Sequence, residues 1–265
     1  MYSRSRLIAK YLRYYFTASN GRGHGTHSPF IFEFITKVLN DKKTYPEYET
    51  VENLRNRLLT DRTMLNIEDL GAGSSVSAGK QRTVASIAKH AAKSKKYGQL
   101  LFRMVKHYRP RNIVELGTSL GLTTSYLSLG DRSSKLVTLE GAAEVAAFAK
   151  KNFEELGLTN CSVIKGDFDD TLPICMESLP SLDLVFLDGN HRREPTERYF
   201  SQLLPKIHSD SILVFDDIYW SQGMEEAWKF IKEHPAVRCS VDLFFIGIVL
   251  FRKEFHEKQH FSVRF

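Results

Sequence analysis

The sequence predicts an α/β protein built on a doubly wound, mostly parallel sheet with a helical N-terminal extension. Three observations carry this. From about residue 96 onward, short and nearly continuous apolar runs alternate with segments of helical period, the runs end in carboxylates, and the first run feeds a turn bracketed by glycines. Apolar runs of this kind suit strands buried on both faces, which strand–helix alternation provides in a parallel sheet. Ligands in such sheets bind beyond the carboxyl ends of the strands.

The glycine turn lies in VELGTSLG, Val114 to Gly121. Gly117 and Gly121 carry no Cβ, so backbone N–H groups and a helix N-terminus can approach a ligand closely. Their GxxxG spacing does not meet the GxGxxG dinucleotide fingerprint. Glu115, just before the turn, would repel a pyrophosphate and attract a cation, which suggests a nucleoside carrying positive charge. The next strand, Lys135 to Glu140, ends in an acid about 20 residues beyond the first glycine, the place from which a carboxylate grips ribose hydroxyls.

Strands are expected at 112–117, 135–140, 161–166, 183–188 and 211–216, and helices at 97–108, 121–129, 142–156, 193–204 and 223–234. Glu115, Glu140, Asp167, Asp188, Asp216 and Asp217 then gather at the carboxyl ends. That convergence would be costly without a cation to answer it. Leu243 to Phe251 is too short to span a bilayer and reads as the last two strands meeting at Gly247.

The N-terminal part reads helical. Leu7, Ile8, Tyr11, Leu12, Tyr15 and Phe16 form an apolar stripe, expected to dock on the rest of the chain or on a second subunit; no acid occurs before Glu33. An organelle presequence or a membrane-surface helix is the lesser reading of this basic start. The loop from Gly21 to His27 suggests a lid, and its His24 and His27 lack a third metal ligand. Ser28-Pro29 opens a helix to Leu39 with an N-cap serine and a proline at N1. Further helices are expected at 49–59 and 80–93. Between them, LNIEDLGAGS (65–74) imitates a glycine motif without an adequate strand before it, and Gly71, Gly73 and Gly79 make it pliant.

The 265 residues can bury one large core, alone or with a helical appendage. Cys161, Cys175 and Cys239 form an odd, scattered set with no CxxC, which excludes a disulfide framework and points to a reducing, cytoplasmic setting. The net charge of +6 comes from scattered basic residues and reads as a solvated surface before a nucleic-acid face.

From Tyr97 to Phe251 the chain resembles the class I S-adenosylmethionine-dependent methyltransferases and, among them, the catechol-type O-methyltransferase branch. The resemblance rests on Lys96 to Thr124 with its glycine turn, VTLEG (137–141), IKGDFDDTLP (164–173), LDLVFLDGNH (182–191) and SILVFDDIYW (211–220). It implies a seven-stranded Rossmann-like sheet, a methyltransferase domain over 96–265, and an extension or substrate cap over 1–95. It also implies a cofactor set of Glu115, Gly117, Thr118, Ser119, Gly121, Glu140, Asp167, Phe168 and Asp188. In the branch, three strand-tip residues bind a divalent metal. The matching positions are Asp188, Asp216 and Asp217, hard oxygen ligands suited to Mg2+, Mn2+ or Ca2+, with Asp217 standing where the branch usually has asparagine. The competing reading has Asp188 and Asp216 bind the cofactor amine, cap helices or orient substrate. His191 stands where the branch carries a lysine base, and an imidazole can accept a hydroxyl proton at neutral pH. Asn190 would position the acceptor, and Tyr219 and Trp220 would either wall the acceptor site or simply pack.

Three functions compete. O-methylation of a small hydroxylated acceptor ranks first, favoured by the aspartates and His191. RNA methylation, on ribose or base, is favoured by the basic balance and opposed by Asp188-Gly189-Asn190-His191, which is not the [DN]PP[YF] signature of many amino-methyltransferases. A non-catalytic cofactor-binding module is opposed by the intact glycine turn and Glu140. A homodimer is compatible with the aromatic first helix.

Overall fold

The computed structural model describes residues 1–19, 21, 28–67, 81–91 and 93–265. Residues 22–27 of the expected lid loop, with His24 and His27, and Gly71, Gly73 and Gly79 lie outside the described residues. The chain divides into two compact units, an outer one of Met1–Asn40 with Pro180–Phe265 and a middle one of Asp41–Leu179.

The outer unit begins with α1 (Arg4–Thr17), started by Ser3, whose hydroxyl accepts the Arg6 N–H. Pro29–Glu33 forms α2 under the N-cap of Ser28, and the chain continues as a wider π turn over Phe34–Leu39, filling the predicted helix. The face on which α1 packs differs from the expected stripe. Tyr14 and Ala18 are buried against Phe244, with Tyr11 at their side, whereas Ile8, Leu12, Tyr15 and Phe16 are exposed. The Tyr14 hydroxyl donates to the Val263 carbonyl, so a phenol whose polar end is satisfied takes the buried place.

In the middle unit, Pro46 opens α3 (Pro46–Leu58), with Glu47 and Glu49 in its first turn and Arg55 and Arg57 in its last, as the helix dipole favours. A ribbon follows, β1 (Met64–Asn66) paired antiparallel with β2 (Gln81–Thr83). The helix expected over 80–93 is therefore shorter: α4 spans Val84–His90, because residues 81–83 pair in the ribbon and the Thr83 hydroxyl then caps by accepting the Ser86 N–H. Next come α5 (Lys95–Tyr108), β3 (Asn112–Leu116), α6 (Leu122–Gly130), β4 (Lys135–Glu140), α7 (Ala143–Glu155) and β5 (Cys161–Lys165). Strands β3, β4 and β5 are parallel neighbours, with Leu116 opposite Leu139 and Glu140 opposite Lys165. One face is filled by Leu54, Phe102, Tyr126 and Phe153 from α3, α5, α6 and α7. A helix not among those expected, α8 (Phe168–Glu177), closes this unit with Pro173 inside it.

The outer unit resumes with β6 (Leu182–Leu187), α9 (Arg193–Leu203), β7 (Ile207–Asp216), α10 (Gln222–Glu233), β8 (Cys239–Asp242), β9 (Ile246–Leu250) and β10 (Gln259–Ser262). Strands β6 and β7 are parallel, β9 runs antiparallel to both β7 and β8, and β10 lies parallel on β8. Leu184, Val185 and Phe186 are fully buried, each burial contributing about 1.5–3 kcal/mol.

The mostly parallel α/β class is as predicted, with two corrections. Beyond the β1–β2 ribbon there are eight strands among the described residues, not seven; the addition is β10, a polar segment with no alternation to announce it. Gly247 lies inside β9 and does not separate two strands. The reversal comes earlier, at Leu243–Phe245, where Phe244 adopts φ 69° and its N–H bonds to Asp242. Gly247 instead lets α10 approach: a Cβ there would sit 2.6 Å from the Trp228 ring.

Candidate functional site

The predicted site residues fall into two sets, one in each unit. In the middle unit, the chain leaves β3 and folds back over the end of β4, with the N–H groups of Gly117 and Thr118 both donating to the Leu139 carbonyl. Left-handed backbone occurs at Gly117 (φ 103°), Ser119 (φ 49°) and Gly121 (φ 81°). Ser119 is the costly member, since a residue with a Cβ sits there at the expense of roughly 1–2 kcal/mol. Its N–H is held by Glu140 Oε2 at 2.8 Å, while Glu140 Oε1 accepts the Ala142 N–H at 3.0 Å. Thus Glu140 organises the turn; the Gly141 N–H also bonds it, and the carboxylate keeps acceptor capacity for a further donor. Burial holds its pKa above the ordinary carboxylate value, against the pull of those N–H groups.

Glu115 lies deeper than its place before the turn suggested. It is wholly buried, and Oε2 accepts hydroxyl bonds from Thr124 and Thr138, the latter at 2.7 Å. Because the single Thr138 proton goes to Glu115, the 2.6 Å contact between Thr118 and Thr138 must be donated by Thr118. Oε1 has no hydrogen-bond partner among the described residues. Desolvation pushes the Glu115 pKa up to about 7, with the two threonines opposing and Glu140 adding to the rise. A buried carboxylate with one unanswered oxygen fits a ligand that brings positive charge or a donor. The N-terminus of α6 follows at Gly121 with no side-chain cap. Its N–H groups suit an anionic ligand group. Asp167 is the N-cap of α8, accepting the Asp169 N–H at 2.8 Å, and Phe168 opens that helix.

In the outer unit, Asp188 follows β6 and Asp216 ends β7. Their carboxylates and the His191 imidazole place one ligand atom each within 4.8 Å of the others. His191 Nε2 is 3.7 Å from Asp188 Oδ1, and Asp216 is almost fully buried. Two carboxylates and an imidazole at this separation fit a divalent cation after small adjustments. Asp217, expected as the third ligand, is not in this trio. It adopts φ 52°, and its N–H bonds to the Phe245 carbonyl at 2.7 Å. Asn190 is also left-handed, at φ 50°, and its Nδ2 donates to the Tyr199 hydroxyl. Tyr219 is engaged in packing: its hydroxyl donates to Asp242 and its ring stacks on Phe244 with centroids 5.1 Å apart. His191, expected only as a proton acceptor, lies beside both aspartates. The signal was present in the D-x-x-H spacing, which sets both side chains on one turn after β6.

Known proteins provide the comparison. A sequence model described as a methyltransferase domain matches residues 114–218. The chain is 30% identical over 124 residues to a catechol O-methyltransferase of Niastella koreensis, covering 46% of this chain and 55% of that protein. It spans about half the length of the curated relatives it matches. Among solved structures, an SAH-bound methyltransferase of Podospora anserina is similar with a TM-score of 0.58 and 13% identity, over 95% of this chain and 97% of that one. An O-methyltransferase of Bacillus cereus in complex with SAH gives a TM-score of 0.55 and 20% identity, over 83% and 97%. At these identities the likeness is one of fold. Through the methyltransferase-domain match over residues 114–218 and the 30% identity to a catechol O-methyltransferase, the chain is similar to the class I S-adenosylmethionine-dependent methyltransferases and, among them, to their catechol-type O-methyltransferase branch.

Proposed function

We propose that the protein is an S-adenosylmethionine-dependent O-methyltransferase acting on a small hydroxylated acceptor. Residues 96–265 would form the transferase domain, and 1–95 an extension that caps the substrate. The observation that carries this reading is the convergence of Asp188, His191 and Asp216, a set able to take the proton from a hydroxyl. When bound, the donor supplies a methyl group on a positively charged sulfur, ready for in-line displacement. The protein's part is alignment and a deprotonated acceptor.

In this reading Glu140 holds the ribose hydroxyls with the lone pairs its backbone bonds leave free. Gly117, Thr118, Ser119 and Gly121 carry the methionine part, whose carboxylate meets the uncapped start of α6. Glu115 answers the positive charge from below. Asp167 and Phe168 flank the adenine, as hydrogen-bond acceptor and apolar face. A divalent cation would be held by Asp188 and Asp216 and would supply Lewis acidity to the acceptor oxygen. His191 takes the hydroxyl proton at Nε2, and Asn190 positions the acceptor.

A methyl-tritium transfer assay on small phenols, RNA and protein extract tests the reading. Label in phenols, abolished by exhaustive EDTA and restored by Mg2+ or Mn2+, supports it. Label in RNA alone would move the chain to nucleic-acid methylation. Donor binding without transfer to any acceptor would leave a cofactor-binding module.

A further inference from the structure

We propose that α1 is a lipid-docking helix whose exposed face lies on an anionic bilayer surface. Ile8, Leu12 and Tyr15 recur at the i, i+4, i+7 spacing of one helix face, and Phe16 stands beside them. They are 60%, 49%, 44% and 78% exposed. The helix is held from its other side, by Tyr14 on the Val263 carbonyl and Tyr11 edge-on to Phe244 at 5.1 Å. The exposed face is therefore not the one that anchors α1. Phe245, 45% exposed and 6.1 Å from the Tyr11 ring, extends the apolar surface beyond the helix.

Charge selects the occupant. Arg4, Arg6 and Arg13 are exposed on α1, and Arg264 reaches over the Tyr15 ring at 5.2 Å. Lys10 is already paired with Glu225 at 2.7 Å. Residues 1–32 contain no acid at all. Two copies joined through α1 would bring these arginines together with no carboxylate from either helix to answer them. An anionic lipid surface accepts both components, the aromatic and aliphatic side chains at the acyl boundary and the guanidinium groups among the headgroups. No helix among the described residues is long and apolar enough to cross a membrane, so α1 lies on the surface.

The test is co-sedimentation of the full-length protein with phosphatidylcholine vesicles, with and without phosphatidylglycerol. Binding is expected only to the anionic vesicles and should weaken as salt rises. Replacing Arg4, Arg6 and Arg13 together by Gln should lower partitioning about 100-fold, at about 1 kcal/mol for each cation near the surface. Ile8→Ser with Phe16→Ser should lower it at least about tenfold through lost apolar burial. Both variants should keep the wild-type circular dichroism, since none of the changed side chains is buried. Failure of the wild type to bind either vesicle would overturn the proposal, as would variants that bind like the wild type. A dimer in light scattering that Ile8→Ser and Phe16→Ser dissolve, without vesicle binding, would assign the face to a second copy instead.

Discussion

Glu115→Gln offers the sharpest test of the middle-unit site because its effect changes with pH in a direction fixed by burial. The wild-type carboxyl titrates near 7 in the fold, against 4.5 for an ordinary glutamate. A raised carboxyl binds its proton more tightly in the folded state than in the unfolded one. Its contribution therefore favours folding most below about pH 4.5 and is lost progressively as pH climbs to about 7. A shift of this size corresponds to roughly 3 kcal/mol, spent on keeping an ionised carboxylate in the interior at pH 8. Glutamine keeps an oxygen for the Thr124 and Thr138 hydroxyls and cannot ionise. Whatever its amide group costs in the unanswered Oε1 position, that cost does not vary with pH.

Thermal unfolding of both proteins without cofactor, from pH 4 to pH 8, should thus show the variant gaining on the wild type by roughly 3 kcal/mol. For a chain of this size that is on the order of 6–12 °C in relative Tm. Parallel Tm curves across the range would refute the argument, because they would mean that the carboxylate is ionised throughout or already satisfied. The same group gives a binding signature. A cationic donor seated over Glu115 favours its ionised form, so binding at pH 7 should release a proton. Calorimetry in two buffers of different ionisation enthalpy should detect it in the wild type and not in Glu115→Gln.

Glu140→Gln should weaken donor affinity at least about tenfold by calorimetry, since a charge-assisted grip on ribose becomes a neutral one; unchanged affinity would remove Glu140 from the ribose role. Gly121→Ala should cost roughly 2–4 kcal/mol in denaturant unfolding, combining left-handed strain with a Cβ placed 2.4 Å from the Phe153 ring. Asp216→Asn should weaken Mn2+ binding, followed by electron paramagnetic resonance, by more than Asp217→Ala does; the reverse order would restore Asp217 as the principal ligand. His191→Ala should lower kcat by about 100- to 10,000-fold while leaving donor affinity unchanged. A parallel loss of Mn2+ affinity in that variant would make His191 a ligand and not the base.

How far the sequence could be read follows from which interactions are local. Strands β3, β4, β6 and β7 are near-continuous apolar runs closed by an acid, and their carboxyl ends fall within a residue or so of expectation because burial on both faces leaves few alternatives. Helix α8 was not legible. Pro173 argues against a helix by local rules, and what starts this one is Asp167, which had been read only as a ligand contact. Strand β10 exists through its pairing with β8, and nothing in Gln-His-Phe-Ser encodes that partner. Helix α1 follows the same rule. Of its apolar stripe Tyr11 packs beside Phe244, while the buried residue is Tyr14, outside the stripe and satisfied by a carbonyl 249 positions away. Periodicity tells which residues share a face and cannot tell whether that face meets protein, lipid or water. The site shows the complementary lesson. The strand-tip acids could be located by counting, but Glu115 and Glu140 differ in what already occupies their oxygens. Glu140 is held by the backbone N–H groups of Ser119, Gly141 and Ala142, whereas Glu115 is held on one oxygen by threonine hydroxyls and left unanswered on the other. That difference sets which acid can respond to an arriving positive charge, and it comes from the fold around each residue.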